Sequence, residues 1–412
     1  MKALTRAAPW AAIGTALLLQ TSLASAGEIV WWTPNWGQAR AEELIKQFEA
    51  ANPGITVKAE ITVSDGLANR IQVALRSGSP PDLIEGQHGW VVPFAQSGLL
   101  QPLDDVITER EDYLPAALEY DTWDGKLWGI PYRIETHAVI YNKGAFTAAG
   151  LDPENPPQTW PELVDAAKKL TGKNAEGQDQ YGFAITGGGE VGNTLFRSLP
   201  FIWMNGGAII NDDMTQAVVN EPAAVEAVEF YTDMFTEHGV SPPSTLQNDG
   251  TANRRLFIAG TVAMYQSGQF DLPSIQKENP NIDLGVMPIP HPEGKETAAI
   301  LGGWSFFIPK DAPNAEEAKK FLAFLIESDN MGFFTDTFPA RTSAMDMPRF
   351  QDPLLDAYKE MLPHGRRVPP HKNWIQIVQA YFDNVQRVLL EEVTVQEAMD
   401  DAAEEIQTLL EQ

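Results

Sequence analysis

Two stretches of the chain set a tryptophan beside amide or imidazole groups: Pro34-Asn35-Trp36-Gly37-Gln38 and Gln87-His88-Gly89-Trp90. Ser64-Asp65-Gly66 adds a carboxylate in a turn, and Gly302-Gly303-Trp304 sets an aromatic plate behind two glycines. A hydroxyl-rich solute has apolar C–H faces that pack on aromatic rings and a polar edge that bonds to carboxylates and amides. Two glycines allow a backbone to come close to such a solute. Each residue also has a structural reading. Trp36 is either a stacking platform or a loop aromatic packed on its own surface. His88 is either a ligand group or a satisfied structural histidine, and Asp65 either grips hydroxyls or forms an Asx turn capping the next helix. Trp203, in Phe201-Ile202-Trp203-Met204, is a plate or a core residue.

Catalytic signatures are missing from the sequence. It has no Gly-x-Ser-x-Gly elbow, no His-Glu-x-x-His, no Gly-x-x-x-x-Gly-Lys-Ser/Thr and no EF-hand loop. Gly187-Gly188-Gly189 lacks the lysine of a phosphate cradle, and the 6 histidines show no metal-ligand spacing. No cofactor or metal is expected. A glycosidase needs two opposed carboxylates; with 56 Asp+Glu such a pair is always available, so abundance decides nothing.

The candidate residues sit where secondary structure changes. Glu28 to Trp32 reads as a buried strand, Ala39 to Ala51 as a helix with Leu44, Ile45 and Phe48 on one face, Ile55 to Val63 as a strand, Leu67 to Arg76 as a helix and Asp82 to Ile84 as a strand. This alternation implies βαβ units in a mainly parallel sheet, an α/β fold. Ligands of such sheets collect at the carboxyl ends of strands, here Thr33 to Gln38, Ser64 to Gly66 and Gln87 to Trp90. Trp31 and Trp32, inside the first strand, read as core. The alternation restarts after Tyr132, with strands at 138–141, 261–265, 284–290 and 305–309 and helices at 160–170, 223–238, 315–327 and 395–410.

The chain has 412 residues, 43% hydrophobic and 21% charged, which is the profile of a folded globular protein. With 29 Lys+Arg against 56 Asp+Glu, its net charge of −27 argues against a nucleic-acid partner, because phosphate binding needs clustered cations. Lys2 and Arg6 precede an apolar stretch from Ala7 to Leu23, and Ala24-Ser25-Ala26 supplies small residues for cleavage. Residues 1–26 therefore read as a secretory signal. The absence of cysteine excludes disulfides, thiolate chemistry and a thioether lipid anchor, which points to a free protein of the periplasm.

Gly78-Ser79-Pro80-Pro81-Asp82-Leu83-Ile84 with Phe94-Ala95-Gln96-Ser97-Gly98-Leu99-Leu100, Trp128-Gly129-Ile130-Pro131-Tyr132, Tyr141-Asn142-Lys143, Gly150 to Trp160 and Gly285 to Pro290 recur in a fixed order. In that order they resemble the extracellular solute-binding protein family of ABC importers, especially its maltose- and glycerol-3-phosphate-binding members. The resemblance implies a two-lobed periplasmic-binding-protein fold of the type II-like kind, with multiple chain crossings and a cleft that closes on a solute. It divides the chain into lobe one, 27–133 plus 286–328, and lobe two, 134–285 plus 329–412. It adds Glu135 after the first crossing, Gln269 in Ser267-Gly268-Gln269, and Arg341, which is either a clamp for an anion or vicinal hydroxyls or an interlobe salt bridge. Gly89-Trp90 departs from the acidic-basic pair of the maltose-type members, which speaks against a maltodextrin. The implied partners are a carbohydrate-like solute and importer permease subunits, and the expected state is a monomer. Two alternatives stand beside this: an anionic polyol held by Arg341 and His88, and a secreted carbohydrate-active enzyme.

Overall fold

The structure is a computed structural model that describes residues 27–62, 67–174 and 177–412. The signal segment and Asp65 lie outside the described residues. The chain opens with β1 (Glu28–Pro34), whose Trp31 is buried against Phe306 and Phe321. Gly37, at φ 75°, then turns the backbone through a left-handed conformation that a side chain would oppose, and α1 (Gln38–Ala51) begins. Its apolar spacing buries Ala41, Leu44 and Phe48 on one face. A buried leucine or phenylalanine stabilises by roughly 1.5–3 kcal/mol. β2 (Thr56–Thr62), α2 (Leu67–Ser77), β3 (Leu83–Gln87) and α3 (His88–Gln96) complete the first βαβα run.

β4 (Ile130–Glu135) and β5 (His137–Asn142) are separated by Thr136 alone, yet they belong to different sheets. That single residue links the two sheets. Beyond it lie α4 (Val191–Met204), α5 (Gly250–Ile258), β6 (Met264–Gly268) and β7 (Leu284–Met287). β8 (Ala299–Ile300) and β9 (Gly302–Phe307) carry the chain back. α6 (Ala315–Leu325), α7 (Ser328–Phe334), β10 (Phe338–Pro339), β11 (Gly365–Arg366), α8 (Trp374–Leu389) and α9 (Val395–Leu410) follow.

The larger sheet runs β10-β4-β9-β3-β1-β2 and the smaller β6-β5-β7. In the larger sheet only β1, β2 and β3 pair in parallel; β9 is antiparallel to both β3 and β4, and the smaller sheet is antiparallel throughout. The mainly parallel sheet expected from the sequence is therefore corrected to a mixed one. The physical reason is the crossing: β9 enters the larger sheet from the other lobe, without a βα unit to set its direction. β10 pairs with β4 in the larger sheet, and Val286 and Met287 pair with β5 in the smaller one.

Candidate solute-binding site

The carboxyl end of β1, the end of β4 and the start of β9 meet at one edge of the larger sheet. Trp36, half-buried after β1, stands edge-on to Trp304 of β9, with ring centroids 4.6 Å apart at 82°. Trp90 of α3 meets Trp304 from another side, at 5.8 Å and 69°. Trp304 is buried, so the accessible aromatic surface belongs to Trp36 and Trp90.

Arg133 and Glu135 lie two residues apart on β4 and so share a face. The Arg133 guanidinium is buried and joins two carboxylates: Nη2 to Glu135 Oε2 at 2.6 Å and Nη1 to Asp336 Oδ1 at 2.8 Å. Its carbon lies 5.5 Å from the Trp36 ring centre. Burial alone would depress the Arg133 pKa, but Asp336 and Glu135 outweigh it and hold it above the ordinary arginine value. Arg133 Nε and Trp36 Nε1 are buried without a partner among the described residues.

Gly302 opposes Glu135 in the β9–β4 register, and a Cβ there would press on both Glu135 and the Phe196 ring of α4. The missing side chain is what lets the two lobes meet. Phe196 lies 5.5 Å from the His137 ring, which in turn lies 6.1 Å from Phe270. Gly268 is the register partner of His137, and Gln269 follows it. Gln269 is 4% exposed, and neither its oxygen nor its nitrogen has a partner among the described residues. His137 Nδ1 and Gln266 Oε1 are likewise unpartnered. Burial pushes the His137 pKa well below the usual histidine value, with Arg197 adding to the effect. An unsatisfied buried polar group costs about 1–3 kcal/mol, so this wall holds bonding capacity in reserve.

The structure thus gathers Trp36, Glu135 and Trp304 around Arg133, and Gln269 lies in the smaller sheet's half, one residue beyond the register partner of His137. Gln87 is exposed at the end of β3 with Trp304 as its register partner, and Gln38 is exposed on the first turn of α1. His88 takes the structural reading. Its Nε2 meets the Arg133 carbonyl at 3.1 Å, its Nδ1 meets Ser305 Oγ at 3.1 Å, and its ring packs on Tyr120. Gly303 sits at φ 149°, and His88 and the Arg133 carbonyl fill the space a side chain there would need. Arg341 is also spent internally, bonding to Glu109, to Asp112 at 2.8 Å and to the Ile326 carbonyl at 2.8 Å. Glu109 and Asp112 precede β4 in the chain and Arg341 follows β10, which pairs with β4, so these contacts join segments on either side of that strand pair. Trp203 sits two turns along α4 from Phe196, half-buried beneath Arg366 at 5.9 Å. Sequence reasoning missed Arg133, Asp336, Phe196 and His137. The two-residue spacing of Arg133 and Glu135 on a strand was a readable signal; Asp336 had none.

The arrangement is built to hold a solute. Asp121, His88 and Ser305 do come together, but Ser305 Oγ donates to Asp121 at 2.5 Å and all three are buried, so the hydroxyl is engaged with the carboxylate. Burial raises the Asp121 pKa against the opposing pull of His88 and Ser305. Glu135 and Asp336 both turn onto one guanidinium instead of facing a shared bond, unlike a glycosidase pair. Among the described residues no group of three His, Cys, Asp or Glu is placed to hold a metal ion, and no helix is long and apolar enough to cross a membrane. An open depression of about 400 Å³, walled by Trp160, Val164 and Phe230, shares no residue with the site. Asp165 and Glu293 are its only charged groups, so it lacks the mixed donors and acceptors that converge at the strand ends.

The chain is 29% identical over 408 residues to a putative binding protein of Brucella abortus, covering 96% of this chain and 97% of the relative. It is 27% identical to the sn-glycerol-3-phosphate-binding periplasmic protein of Escherichia coli, covering 96% of each. A solved ABC transporter solute-binding protein of Thermotoga lettingae, bound with alpha-D-tagatose, matches with a TM-score of 0.83 at 29% identity, over 93% of this chain and 100% of that one. The family model of bacterial extracellular solute-binding proteins matches residues 33–332. Two sheets joined at Thr136, a cluster of aromatic rings and carboxylates at the strand ends of the larger one, and this match over most of the sequence lead to one conclusion: the chain belongs to the bacterial extracellular solute-binding protein family.

Proposed function

We propose that the protein is the solute-binding component of an ABC importer, working in the periplasm as a monomer after removal of residues 1–26, and that its solute is a neutral sugar or glycoside. The carrying observation is the pairing of two unlike walls. Trp36 and Trp90 offer ring faces beside the Glu135 carboxylate, while Gln269 holds an unpaired amide on the other lobe. A sugar ring has the C–H faces for the first and the hydroxyls for the second. Binding would close the cleft, because only the closed form lets both walls touch one solute, and that difference in affinity drives the closure that the permease reads. The chain divides into lobes according to its two sheets, with Thr136 and the Leu301 region as crossings.

The two groups named for an anionic polyol, Arg341 and His88, are both engaged internally, which favours the neutral solute. The test is a thermal-shift screen of the mature protein against neutral mono- and disaccharides, with glycosides included to detect hydrolysis. A saturable rise in melting temperature without turnover is expected. Released sugar would establish an enzyme instead, and a flat response to every neutral carbohydrate would reject the sugar reading.

A further inference from the structure

Asp336 has no role in the site as read from sequence, and the structure puts it there. It lies in the loop between α7 and β10, 203 residues beyond Arg133 in the chain, and β10 pairs with β4 so that this loop falls beside the end of β4. Its Oδ1 takes the Nη1 edge of Arg133 at 2.8 Å while Glu135 takes the Nη2 edge at 2.6 Å. Two further cations lie near it, and both are committed elsewhere. Arg40 Nε donates to the Phe334 carbonyl at 2.9 Å, and Arg349 Nη1 donates to the carbonyls of Gly332 and Phe333 at 3.1 and 3.0 Å. These bonds cap the carboxyl end of α7, where the helix dipole favours positive charge. Arg133 is therefore the cation beside Trp36, and both ends of its fork are taken by carboxylates.

A bidentate guanidinium fork is the usual receiver of a phosphate, and here both of its Nη nitrogens already meet carboxylates. Nε is the nitrogen left without a partner among the described residues, next to carboxylate acceptors. A hydroxyl can accept from the first and donate to the second, whereas a phosphate dianion only accepts. We propose that Asp336 is a specificity-determining residue: by occupying the Nη1 edge of Arg133 it closes the guanidinium to anions, so that the site selects uncharged hydroxyl-bearing solutes over their phosphate esters. This rests on the neutral-sugar reading above.

The experiment compares wild type with Asp336→Asn and Asp336→Glu by calorimetric titration. The ligands are the neutral sugars that pass the thermal screen, glucose against glucose 6-phosphate, and glycerol 3-phosphate. Wild type should favour each neutral sugar over its ester by about tenfold or more, the scale of one unscreened charge contact near a surface. Asp336→Asn should shift that ratio towards the ester by about tenfold, and Asp336→Glu should restore it. Loss of affinity for both ligands in equal proportion, with the ratio unmoved, would mean that Asp336 only supports the fold and would overturn the proposal. So would a wild-type protein that binds the ester as tightly as the sugar, and in that case the solute-binding reading survives. If neither sugar nor ester binds, the neutral-sugar reading fails and this proposal fails with it.

Discussion

Two arginines are buried on opposite sides of the cleft, and the protein treats them differently. Arg133, on the wall of the larger sheet, is paired to Glu135 and Asp336, and its pKa stands above the ordinary value. Arg197, on α4, has no carboxylate within ion-pairing distance among the described residues. Its Nε donates to the Gln266 carbonyl at 3.1 Å, its Nη1 donates to the Asn193 carbonyl at 2.9 Å, and Gly250 leaves room for Nη2. Burial pushes the Arg197 pKa down, only partly offset by the more distant Asp271. The first wall thus has its guanidinium paired to two carboxylates and its aromatic rings packed together, and it leaves only Arg133 Nε and Trp36 Nε1 short of partners among the groups described above. The second is stitched by neutral carbonyls and leaves Gln269, Gln266 Oε1 and His137 Nδ1 short of partners. The more finished wall supplies orientation and the Arg133 Nε donor, and the unfinished one supplies most of the bonds that appear on closure.

Arg133→Met and Arg197→Met break this comparison most strongly. Removing Arg133 leaves two carboxylates side by side, and because both are partly exposed the cost falls at the low end of that for a broken buried pair, about 3 kcal/mol. Removing Arg197 strands only carbonyls and also relieves the burial of an unpaired charge, so its cost should be nearer 1 kcal/mol. Urea unfolding of both variants measures the gap. Equal losses would show that the carboxylates do not define the first wall.

The contrast extends to groups buried in each lobe, where pH reads it. Glu85, in the larger sheet, is fully buried; burial raises its pKa from 4.5 to about 7 against hydrogen bonds from Tyr132 and Thr33. A carboxyl raised in the folded state contributes stability that is full below the unfolded value and is lost as pH rises through about 7. Between pH 5 and 8 that loss is about 2 to 3 kcal/mol, and Glu85→Gln should abolish it. His137, depressed in the other lobe, works in the opposite sense: its stability is present above the usual 6.5 and is lost as pH falls. His137→Gln should flatten the acid limb and leave the alkaline limb alone. If either variant removes both limbs, the two lobes do not titrate independently.

How far the sequence carries depends on the range of the interaction. β1, α1, α2 and the Trp160–Leu170 helix follow from local patterns, the last with a Thr159–Glu162 capping box at its start. The strand-end rule pointed to Trp36 and the paired glycines pointed to Trp304, and the end of β1 and the start of β9 reach the same edge of the sheet. Residue type indicated the chemistry available to His88 and Arg341 but not their partners, since Ser305, Glu109 and Asp112 reach them only through long-range packing. Asp336 was illegible for the same reason, as the β10–β4 pairing that places it joins segments about 200 residues apart.

The smallest expected effect bears on the unfinished wall itself. Gln269→Leu removes a buried amide whose oxygen and nitrogen have no partners among the described residues, and replaces it with an apolar side chain of similar size. If those atoms serve only the closed, solute-bound state, the unliganded protein should gain up to about 1 kcal/mol while affinity for the sugar falls about tenfold. Stability and function then move in opposite directions at one residue. Trp304→Phe, on the finished wall, should lower both together, because that ring packs between Trp36 and Trp90 whether or not a solute is present. Chemical unfolding and titration on the same two variants decide it: a Gln269→Leu protein that is both less stable and weaker in binding would make the amide a structural group like the ring opposite, and would place the bonds gained on closure elsewhere.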